Sequence, residues 1–267
     1  MTNLLEIKGL SFQYGAHEVL KNLELDVLEN ELVCVLGVNG AGKSTLLKCI
    51  NKILPSTSMK LELDSKSLSD LNQVELSKLV SYVPQSVRSG FSIDVFDVVM
   101  LGRKPYINWM ISKNDREIVS NTLRYFGLEE FAFRKFNMLS GGERQRVIIA
   151  KAIAQQPRLF LLDEPTSDLD LNNQIQVMKK IKSLVSDKEN PRSALLAIHD
   201  INIASRFADR IVLLSNGEIV ANGAPLDVLT PKNIAEVFRV SSEVYVPPWG
   251  PIQIIIKDEI TQEQERE

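Results

Sequence analysis

The sequence predicts an α/β fold built on a parallel sheet, with an antiparallel edge and an inserted helical lobe. Apolar runs of strand length at 158–163, 194–198 and 210–214 alternate with helix-like stretches at 173–185 and 201–207. This alternation is typical of βαβ units, whose strands pair in parallel. Two further observations support the prediction: alternating apolar residues near the start of the chain, and helical periodicity through its middle third.

The antiparallel edge is predicted at the start of the chain. Short alternating apolar runs at 4–14 and 19–28 indicate half-buried strands. The continuous apolar run at 32–36 indicates a strand buried on both faces. From Lys43 the apolar residues recur at helical spacing until Pro55, so a helix is expected between these two residues.

The helical lobe is predicted from the middle third of the chain. Residues 94–103 and 115–126 have helical periodicity, and Gly127 is a typical helix-ending residue after the second of them. A further helix is expected from 142 to 155. We therefore expect the lobe to occupy roughly 86–155 and to interrupt the α/β core.

The end of the chain carries shorter elements. Asn216-Gly217 lies between two apolar runs and indicates a hairpin turn. The segment 258–267 is charged and poor in apolar residues, so a frayed tail is expected there rather than an acidic interaction arm. We predict one domain at 1–240, which includes the lobe, and a C-terminal extension at 241–267.

The composition is that of an ordinary globular protein, with 44% hydrophobic and 24% charged residues. The formal net charge of −3 and the pI near 5.6 lack the basic excess of most nucleic-acid-binding proteins, so no nucleic-acid partner is expected. The sequence lacks an apolar run long enough for a membrane helix and does not begin like a signal peptide, so a cytosolic chain is expected. Cys34 and Cys49 are predicted to be buried free thiols.

A glycine-rich motif directly follows the predicted buried strand and precedes a predicted helix. It matches G-x-x-x-x-G-K-[ST], in which backbone N–H groups wrap phosphate oxygens at the positive end of the helix. Its lysine is expected to reach the β- and γ-phosphates of ATP, and its serine to place a hydroxyl on magnesium. These features predict a P-loop NTPase (RecA-like) core. The predicted nucleotide-binding loop comprises Gly37, Val38, Asn39, Gly40, Ala41, Gly42, Lys43, Ser44 and Thr45.

Two adjacent carboxylates follow the apolar run at 159–162. Neighbouring residues of a strand point to opposite faces, so Asp163 and Glu164 should have different roles. We expect Asp163 to hold magnesium, directly or through water, and Glu164 to orient and deprotonate the attacking water. Alone, the pattern is equally typical of an ordinary strand end. In a chain that also contains a phosphate-binding loop, the two carboxylates predict a hydrolytic site.

A third motif, LSGGERQR at 139–146, points to a family. Alone, Ser-Gly-Gly is typical of a flexible linker, but the apolar run at 147–150 indicates a helix start with exposed amides suited to a γ-phosphate. The motif resembles the signature of ATP-binding-cassette (ABC) proteins. This resemblance implies that Ser140, Gly141 and Gly142 of one subunit close on ATP held by the phosphate loop of another.

The resemblance to ABC proteins also implies roles for several single residues. It implies that Tyr14 stacks on adenine and that Gln85 senses magnesium and contacts the lobe. It also implies that Asp168 lies in a loop crossing the dimer and that His199 is a switch at the γ-phosphate. Structural alternatives are a core-edge tyrosine, a loop glutamine, a helix cap and a strand-end histidine, but the joint order of the four favours the functional interpretation. The implied catalytic pair is Glu164 and His199, and the implied metal ligands are Ser44, Gln85 and Asp163.

Later segments resemble one group of ABC ATPases, the subunits that power import of iron-siderophore, haem and cobalamin. The matching segments are 101–106, 199–204, 208–210, 216–218 and 228–230. One departure is visible. Residues 56–69 contain no glycine, where these proteins often have a glycine-marked strand pair, so a surface hairpin there is in doubt.

The resemblance implies an ATPase subunit of an ABC import system that uses ATP and Mg²⁺. Its implied partners are a second ATPase subunit in a homodimer, two membrane permease subunits and, indirectly, a solute-binding protein, at the cytoplasmic face of the cell membrane. One alternative is a soluble ABC ATPase acting on ribosomes or nucleic acid, but those proteins usually carry tandem cassettes or a coiled-coil insert. The other, a non-hydrolysing ATP-binding regulator, is disfavoured by Lys43, Glu164 and His199.

Overall fold

The computed structural model describes residues 2–86 and 92–260. Its strands are β1 (Asn3–Tyr14), β2 (His17–Leu28), β3 (Leu32–Leu36), β4 (Lys60–Leu63), β5 (Lys66–Ser67), β6 (Val80–Val83), β7 (Leu159–Asp163), β8 (Ser193–Ala197), β9 (Arg210–Ser215), β10 (Glu218–Gly223), β11 (Val240–Tyr245) and β12 (Gln253–Glu259). Its α-helices are α1 (Lys43–Ile50), α2 (Gln73–Leu79), α3 (Val95–Met100), α4 (Lys113–Phe126), α5 (Gly141–Ala154), α6 (Leu171–Val185), α7 (Ile201–Phe207), α8 (Pro225–Val228) and α9 (Pro231–Phe238). Short 3₁₀ helices span Leu101–Tyr106, Glu129–Phe131 and Phe136–Met138.

The central sheet has six strands in the order β10-β9-β3-β8-β7-β6. The five strands from β9 to β6 pair in parallel, and β10 returns antiparallel to β9 through the Asn216-Gly217 turn. Every residue of β3, β7 and β8 is buried, as the continuous apolar runs predict. The α/β prediction is therefore confirmed, together with the hairpin turn.

The two faces of the central sheet pack against different layers. Leu32, Cys34 and Leu36 join a core cluster with the lobe helices and α6, whereas Val33 and Val35 join a cluster with α1 and the antiparallel sheet. This division follows from the period of two residues in a strand. Cys34 and Cys49 are buried free thiols, as predicted, and burial raises the pKa of the Cys49 thiol to about 11.

The antiparallel sheet has four strands in the order β2-β1-β4-β5. The glycine-free segment 56–69 does form a hairpin, so the doubt about it was wrong. Asp64 and Ser65 form its turn with φ of 52° and 61°. Both residues therefore adopt the left-handed conformation that glycine usually supplies, which short polar side chains tolerate better than most.

Two predicted helices end earlier than expected. The helix predicted from Lys43 to Pro55 ends at Ile50, because the chain turns through Lys52, whose φ is 55°, and Lys52 Nζ donates to the Leu68 carbonyl 2.8 Å away. The helix predicted at 94–103 is α at Val95–Met100 and 3₁₀ from Leu101 onward. Gly102 lets this segment lie close to α5, since a Cβ there would be 2.2 Å from the carbonyl oxygen of Lys151.

The lobe helices α3, α4 and α5 pack against one another within the predicted segment 86–155, of which 87–91 lies outside the described residues. Helix α4 begins with a capping box between Ser112 and Asp115 and ends at Gly127 with φ of 64°. Arg103 donates from Nε to the Asp115 carboxylate, 3.0 Å away and buried. The lobe helices are thus held by their packing against one another and by this buried ion pair.

The extension predicted at 241–267 contains a hairpin that the sequence analysis missed. Strands β11 and β12 pair antiparallel, and Ile252 and Ile254 are buried in the main core. The frayed tail predicted from Asp258 was wrong for Asp258 and Glu259, which belong to β12, and 261–267 lies outside the described residues. Across residues 2–86 and 92–260, none of the helices combines the length and the apolar character of a membrane span.

Candidate nucleotide-binding site

Several of the predicted site residues converge where neighbouring parallel strands end. The phosphate-binding loop follows β3, the two carboxylates end β7, His199 follows β8 and Gln85 follows β6. Because parallel strands present their carboxyl ends at one edge of a sheet, these segments meet there. They enclose a cleft of about 460 Å³ lined by Asn39, Gly40, Gly42, Lys43, Ser44, Thr45, Gln85, Glu164 and His199.

The phosphate-binding loop is shaped by glycines and by Lys43. Gly40 and Gly42 have φ of 84° and 106°, and a Cβ on Gly37 would lie 2.2 Å from the Leu214 carbonyl oxygen. Lys43 Nζ donates to the carbonyl oxygens of Gly37 at 2.7 Å and Val38 at 3.0 Å, closing the loop into a ring. Burial lowers the pKa of Lys43, while the charges of Glu164 and Asp163 raise it. The loop therefore offers one ammonium group and several amides to an anion.

Asp163 is buried and both of its carboxylate oxygens are hydrogen-bonded. Ser44 Oγ donates to Oδ1 at 2.8 Å, and the Tyr82 hydroxyl donates to Oδ2 at 3.2 Å. Burial raises the pKa of Asp163, whereas the hydrogen bonds from Ser44 and Tyr82 lower it. Burial and the nearby Asp163 carboxylate likewise raise the pKa of Tyr82. The serine and aspartate predicted to bind magnesium are thus in direct contact.

Sequence reasoning missed Tyr82. From the segment 82–85 the sequence analysis selected only Gln85. Period-two alternation along β6 puts Tyr82 and Val83 on opposite faces of the sheet. A tyrosine near the end of a strand beside the Asp163 strand is the signal that was available. Its hydroxyl is the second partner of a buried carboxylate, which otherwise would have one oxygen without a donor.

The oxygens of Ser44 and Asp163 fit a magnesium ion. Magnesium prefers oxygen ligands and commonly takes only one or two protein groups, with phosphate oxygens and water completing its shell. Within the described part of the chain, no group of three or more His, Cys, Asp and Glu side chains forms a cage. Such a sparse donor set suits a metal held jointly by protein and nucleotide.

Glu164 lies in an unusual backbone conformation at the mouth of the cleft. Its φ of 47° is left-handed, and its N–H donates to the Ala197 carbonyl at the end of β8, 2.9 Å away. Gln85 Nε2 donates to Glu164 Oε2 at 2.9 Å, and His199 Nδ1 lies 3.5 Å from the same oxygen. Strained conformations cluster at functional sites. Three of the predicted residues therefore meet at one carboxylate oxygen.

The predicted signature residues lie outside this cleft and form a second cluster. Ser140 is exposed and begins α5, where Glu143 N–H donates to Ser140 Oγ at 3.3 Å and Ser140 N–H donates to the Glu143 carboxylate at 2.8 Å. A Cβ on Gly142 would lie 3.3 Å from the carbonyl oxygen of Asp168, and one on Gly141 3.9 Å from the Asp168 Cβ. The structure thus brings the signature to Asp168 and not to the phosphate-binding loop of its own chain.

Tyr14 also lies outside the residues that line the cleft. It ends β1, is 51% exposed, and stands edge-on to Phe12 with ring centroids 4.7 Å apart. Val38, at 41% exposed, and the buried Ala41 belong to the loop without lining the cleft. The exposed Tyr14 ring, which packs against Phe12, is available for stacking. The contact of Tyr14 with adenine remains a prediction.

Comparison with known proteins gives one family. The family model described as ABC transporter matches residues 20–167. An ABC transporter ATP-binding protein of Methanocaldococcus jannaschii is 44% identical over 241 residues, covering 90% of this chain and 93% of that protein. The iron(3+)-hydroxamate import ATP-binding protein of Bacillus subtilis is 33% identical over 248 residues, covering 92% and 91%. A solved structure of a metal-chelate type ABC transporter in an inward-facing conformation matches with a TM-score of 0.81 and 29% identity, over 96% of this chain and 98% of that chain.

Proposed function

The chain belongs to the ABC transporter family, whose ATP-binding proteins are ATPases, and from this premise we propose that it powers import of an iron chelate or a related metal complex. The observation that carries the proposal is the meeting of the phosphate-binding loop and Glu164 in one cleft, with the buried Asp163 hydrogen-bonded to Ser44 of that loop. The class of cargo rests on similarity to an iron(3+)-hydroxamate import protein and to a metal-chelate type transporter, and it includes haem and cobalamin as further candidates.

In the proposed mechanism ATP enters the cleft with its phosphates against the loop. Lys43 exchanges the carbonyl oxygens of Gly37 and Val38 for the β- and γ-phosphates, and the loop amides take the remaining oxygens. Ser44, Asp163 and the amide of Gln85 would hold Mg²⁺, which when bound neutralises charge on the phosphate oxygens. The exchange is favourable because a charged acceptor replaces neutral ones.

Hydrolysis needs a water in line with the γ-phosphate. Glu164 orients this water and accepts its proton, and His199, which lies beside Glu164 in the cleft, donates to the phosphate. Without nucleotide, the Glu164 oxygen that faces Gln85 and His199 is already hydrogen-bonded. Glu164 must exchange the Gln85 amide for water as the site fills. The catalytic effect is then positioning and electrostatic stabilisation.

The second half of the site is proposed to come from a second copy of the chain. Support comes from the exposed N-terminus of α5, where Ser140, Gly141 and Gly142 lie beside Asp168 and away from the cleft of their own chain. Such a helix start binds anions well. In the dimer each signature covers the γ-phosphate held by the partner's loop, and the Asp168 loops cross between the two sites.

The closing of this dimer is proposed to drive two permease subunits, with the lobe near Gln85 passing on the motion and a solute-binding protein delivering cargo. The chain then works at the cytoplasmic face of the cell membrane and has no nucleic-acid partner. Gentle detergent extraction followed by affinity capture should recover the chain in equal numbers with permease subunits. Recovery solely with ribosomes or nucleic acid would contradict the import proposal and favour a soluble ABC ATPase.

A further inference from the structure

The C-terminal hairpin β11–β12 is attached to α7, the helix that follows His199. A two-stranded hairpin is at best marginally stable alone, so it depends on what it packs against. Ile252 and Ile254 are 8% and 4% exposed and join the main core, and β12 contacts α7. The tip of the hairpin, by contrast, points away from the core, with Trp249 85% exposed.

Three hydrogen bonds join the two elements. The side chain of Asn202 pairs with both backbone groups of Ile254: Ile254 N–H donates to Oδ1 at 2.8 Å, and Nδ2 donates to the Ile254 carbonyl at 3.2 Å. Ser205 Oγ lies 3.0 Å from the Ile252 carbonyl oxygen, within donating distance. The Asn202 amide thus occupies the open edge of β12 as a neighbouring strand would, which satisfies both groups at once.

Asn202 is close in sequence to the cleft. Only Asp200 and Ile201 separate it from His199, and Asp200 caps the helix by accepting from Ile203 N–H at 2.9 Å. The side chain of His199 is 59% exposed, and its Nδ1 lies 3.5 Å from the Glu164 carboxylate. His199 lies in the short connection between β8 and α7, and Asn202 in the first turn of α7 is bonded to the hairpin.

We propose that Asn202 is a positioning residue for His199 and that the C-terminal hairpin is the element through which it acts. The hairpin fixes the Asn202 amide, the amide fixes the first turn of α7, and that turn sets where the imidazole stands in the cleft. The catalytic consequence rests on the proposed function, because it assumes that His199 contacts the γ-phosphate. The placement of the imidazole does not rest on it and can be measured separately.

The two histidines of the chain allow this measurement. His17 begins β2, on the antiparallel sheet, and serves as an internal reference for His199. In ¹⁵N-histidine-labelled protein without nucleotide, each imidazole gives its own NMR signals, which a His17→Gln variant assigns. Asn202→Ala should shift or broaden the His199 signals and leave those of His17 in place. His199 signals identical to those of the unmodified protein would overturn the proposal.

Asn233→Ala is the matched control. Asn233 on α9 also donates from Nδ2 to a backbone carbonyl, that of Val228 at 2.8 Å, which belongs to α8 and not to the C-terminal hairpin. It should leave both histidine signals unchanged. Asn202→Asp is the fallback if the alanine variant does not fold, because it keeps the acceptor for Ile254 N–H and loses the donor. A variant that also shifts the NMR signals of His17 would indicate general unfolding and count against a positioning role.

Kinetics separate this inference from the proposed function. A misplaced catalytic group commonly costs about tenfold to 100-fold in rate, so Asn202→Ala should lower kcat by about tenfold while KM for ATP stays within about twofold. His199→Ala is measured beside it. If His199→Ala hydrolyses ATP normally, the proposed role of His199 fails although the NMR result stands. If His199→Ala is inactive and Asn202→Ala is fully active with an unmoved signal, the positioning inference fails alone.

Discussion

The cleft at the strand ends and the signature cluster at the start of α5 are built differently. In the cleft, the charged groups already have partners within the chain: Lys43 bonds two carbonyl oxygens, and Asp163 bonds Ser44 and Tyr82. At α5, Ser140 is exposed and its side chain bonds only within its own helix start. The first region is preorganised for a ligand. The second is an exposed helix N-terminus.

The difference supports the proposal that one chain binds a nucleotide and needs a partner for catalysis. Binding uses groups that a single sheet edge brings together, so it survives in isolation. The proposed closing contact involves two surfaces that the fold keeps apart. Variants that act in the cleft should therefore change binding or chemistry in a monomer, whereas variants at Ser140 should act only where two chains meet.

The largest expected effect is that of Lys43→Ala on nucleotide binding. The variant removes the ammonium group from the loop and leaves the backbone amides, which is a loss of charge-assisted hydrogen bonds to phosphate. ATP affinity should fall by about 100-fold in a calorimetric titration, as expected for about 3 kcal/mol. Lys113→Ala, at a residue whose side chain is 91% exposed on α4, is the control and should bind normally. Unchanged affinity in Lys43→Ala would refute the assignment of the loop.

A smaller effect is expected for Tyr82→Phe, which removes one hydroxyl and leaves Asp163 Oδ2 without its donor. Nucleotide binding without magnesium should be unchanged, but the magnesium concentration for half-maximal binding should rise about fivefold, equivalent to about 1 kcal/mol. Tyr125→Phe loses a hydroxyl bonded to the Lys180 carbonyl at 3.1 Å, away from the cleft. The prediction fails if the two variants have the same magnesium dependence.

An effect between those of Lys43→Ala and Tyr82→Phe is expected for Tyr14→Ala. Stacking on a base contributes about 1–3 kcal/mol and acts equally in the ground and transition states, so ATP affinity should fall by about tenfold with saturated turnover unchanged. Tyr14→Phe keeps the ring and should behave like the unmodified protein. A lower saturated rate with unchanged affinity would instead identify a tyrosine that supports the fold through its contact with Phe12.

The sequence predicts the central sheet better than the surface. Strands β3, β7 and β8 are buried on both faces, so their apolar runs are continuous and unambiguous. The hairpin at Asp64 and Ser65 uses left-handed residues that are not glycine, which no composition rule anticipates. The β11–β12 hairpin was missed because burial is confined to residues such as Ile252 and Ile254, and the cause of that burial is a helix far away in sequence.

The sequence selects candidate residues for the site but does not predict their contacts. Motif spacing is enough to select Lys43, Asp163 and Glu164, because each follows a recognisable strand. The hydrogen bond from Gln85 to Glu164 depends on how two loops turn after their strands, which a local pattern does not contain. The separation of Ser140 from the cleft likewise follows from the placement of the lobe, and only the tertiary structure supplies it.

The central claim is that the cleft of one chain and the signature of another enclose ATP. Glu164→Gln tests it, because loss of a positioned base costs about 10²–10⁴ in rate while binding survives. ATP then persists and favours the closed pair by linkage. The ATP-dependent dimer should be lost in Glu164→Gln/Ser140→Asp, because aspartate still caps α5 but repels the phosphate. The dimer should be retained in the control Glu164→Gln/Thr230→Asp, where the new aspartate caps α9.

Size-exclusion chromatography with light scattering on the Glu164→Gln protein is the most direct measurement. The account predicts a dimer with ATP and magnesium, a monomer with ADP, and a monomer in both nucleotides once Ser140 is replaced by aspartate. An ATP-loaded Glu164→Gln protein that stays monomeric at high concentration, or a dimer that survives Ser140→Asp, would contradict it.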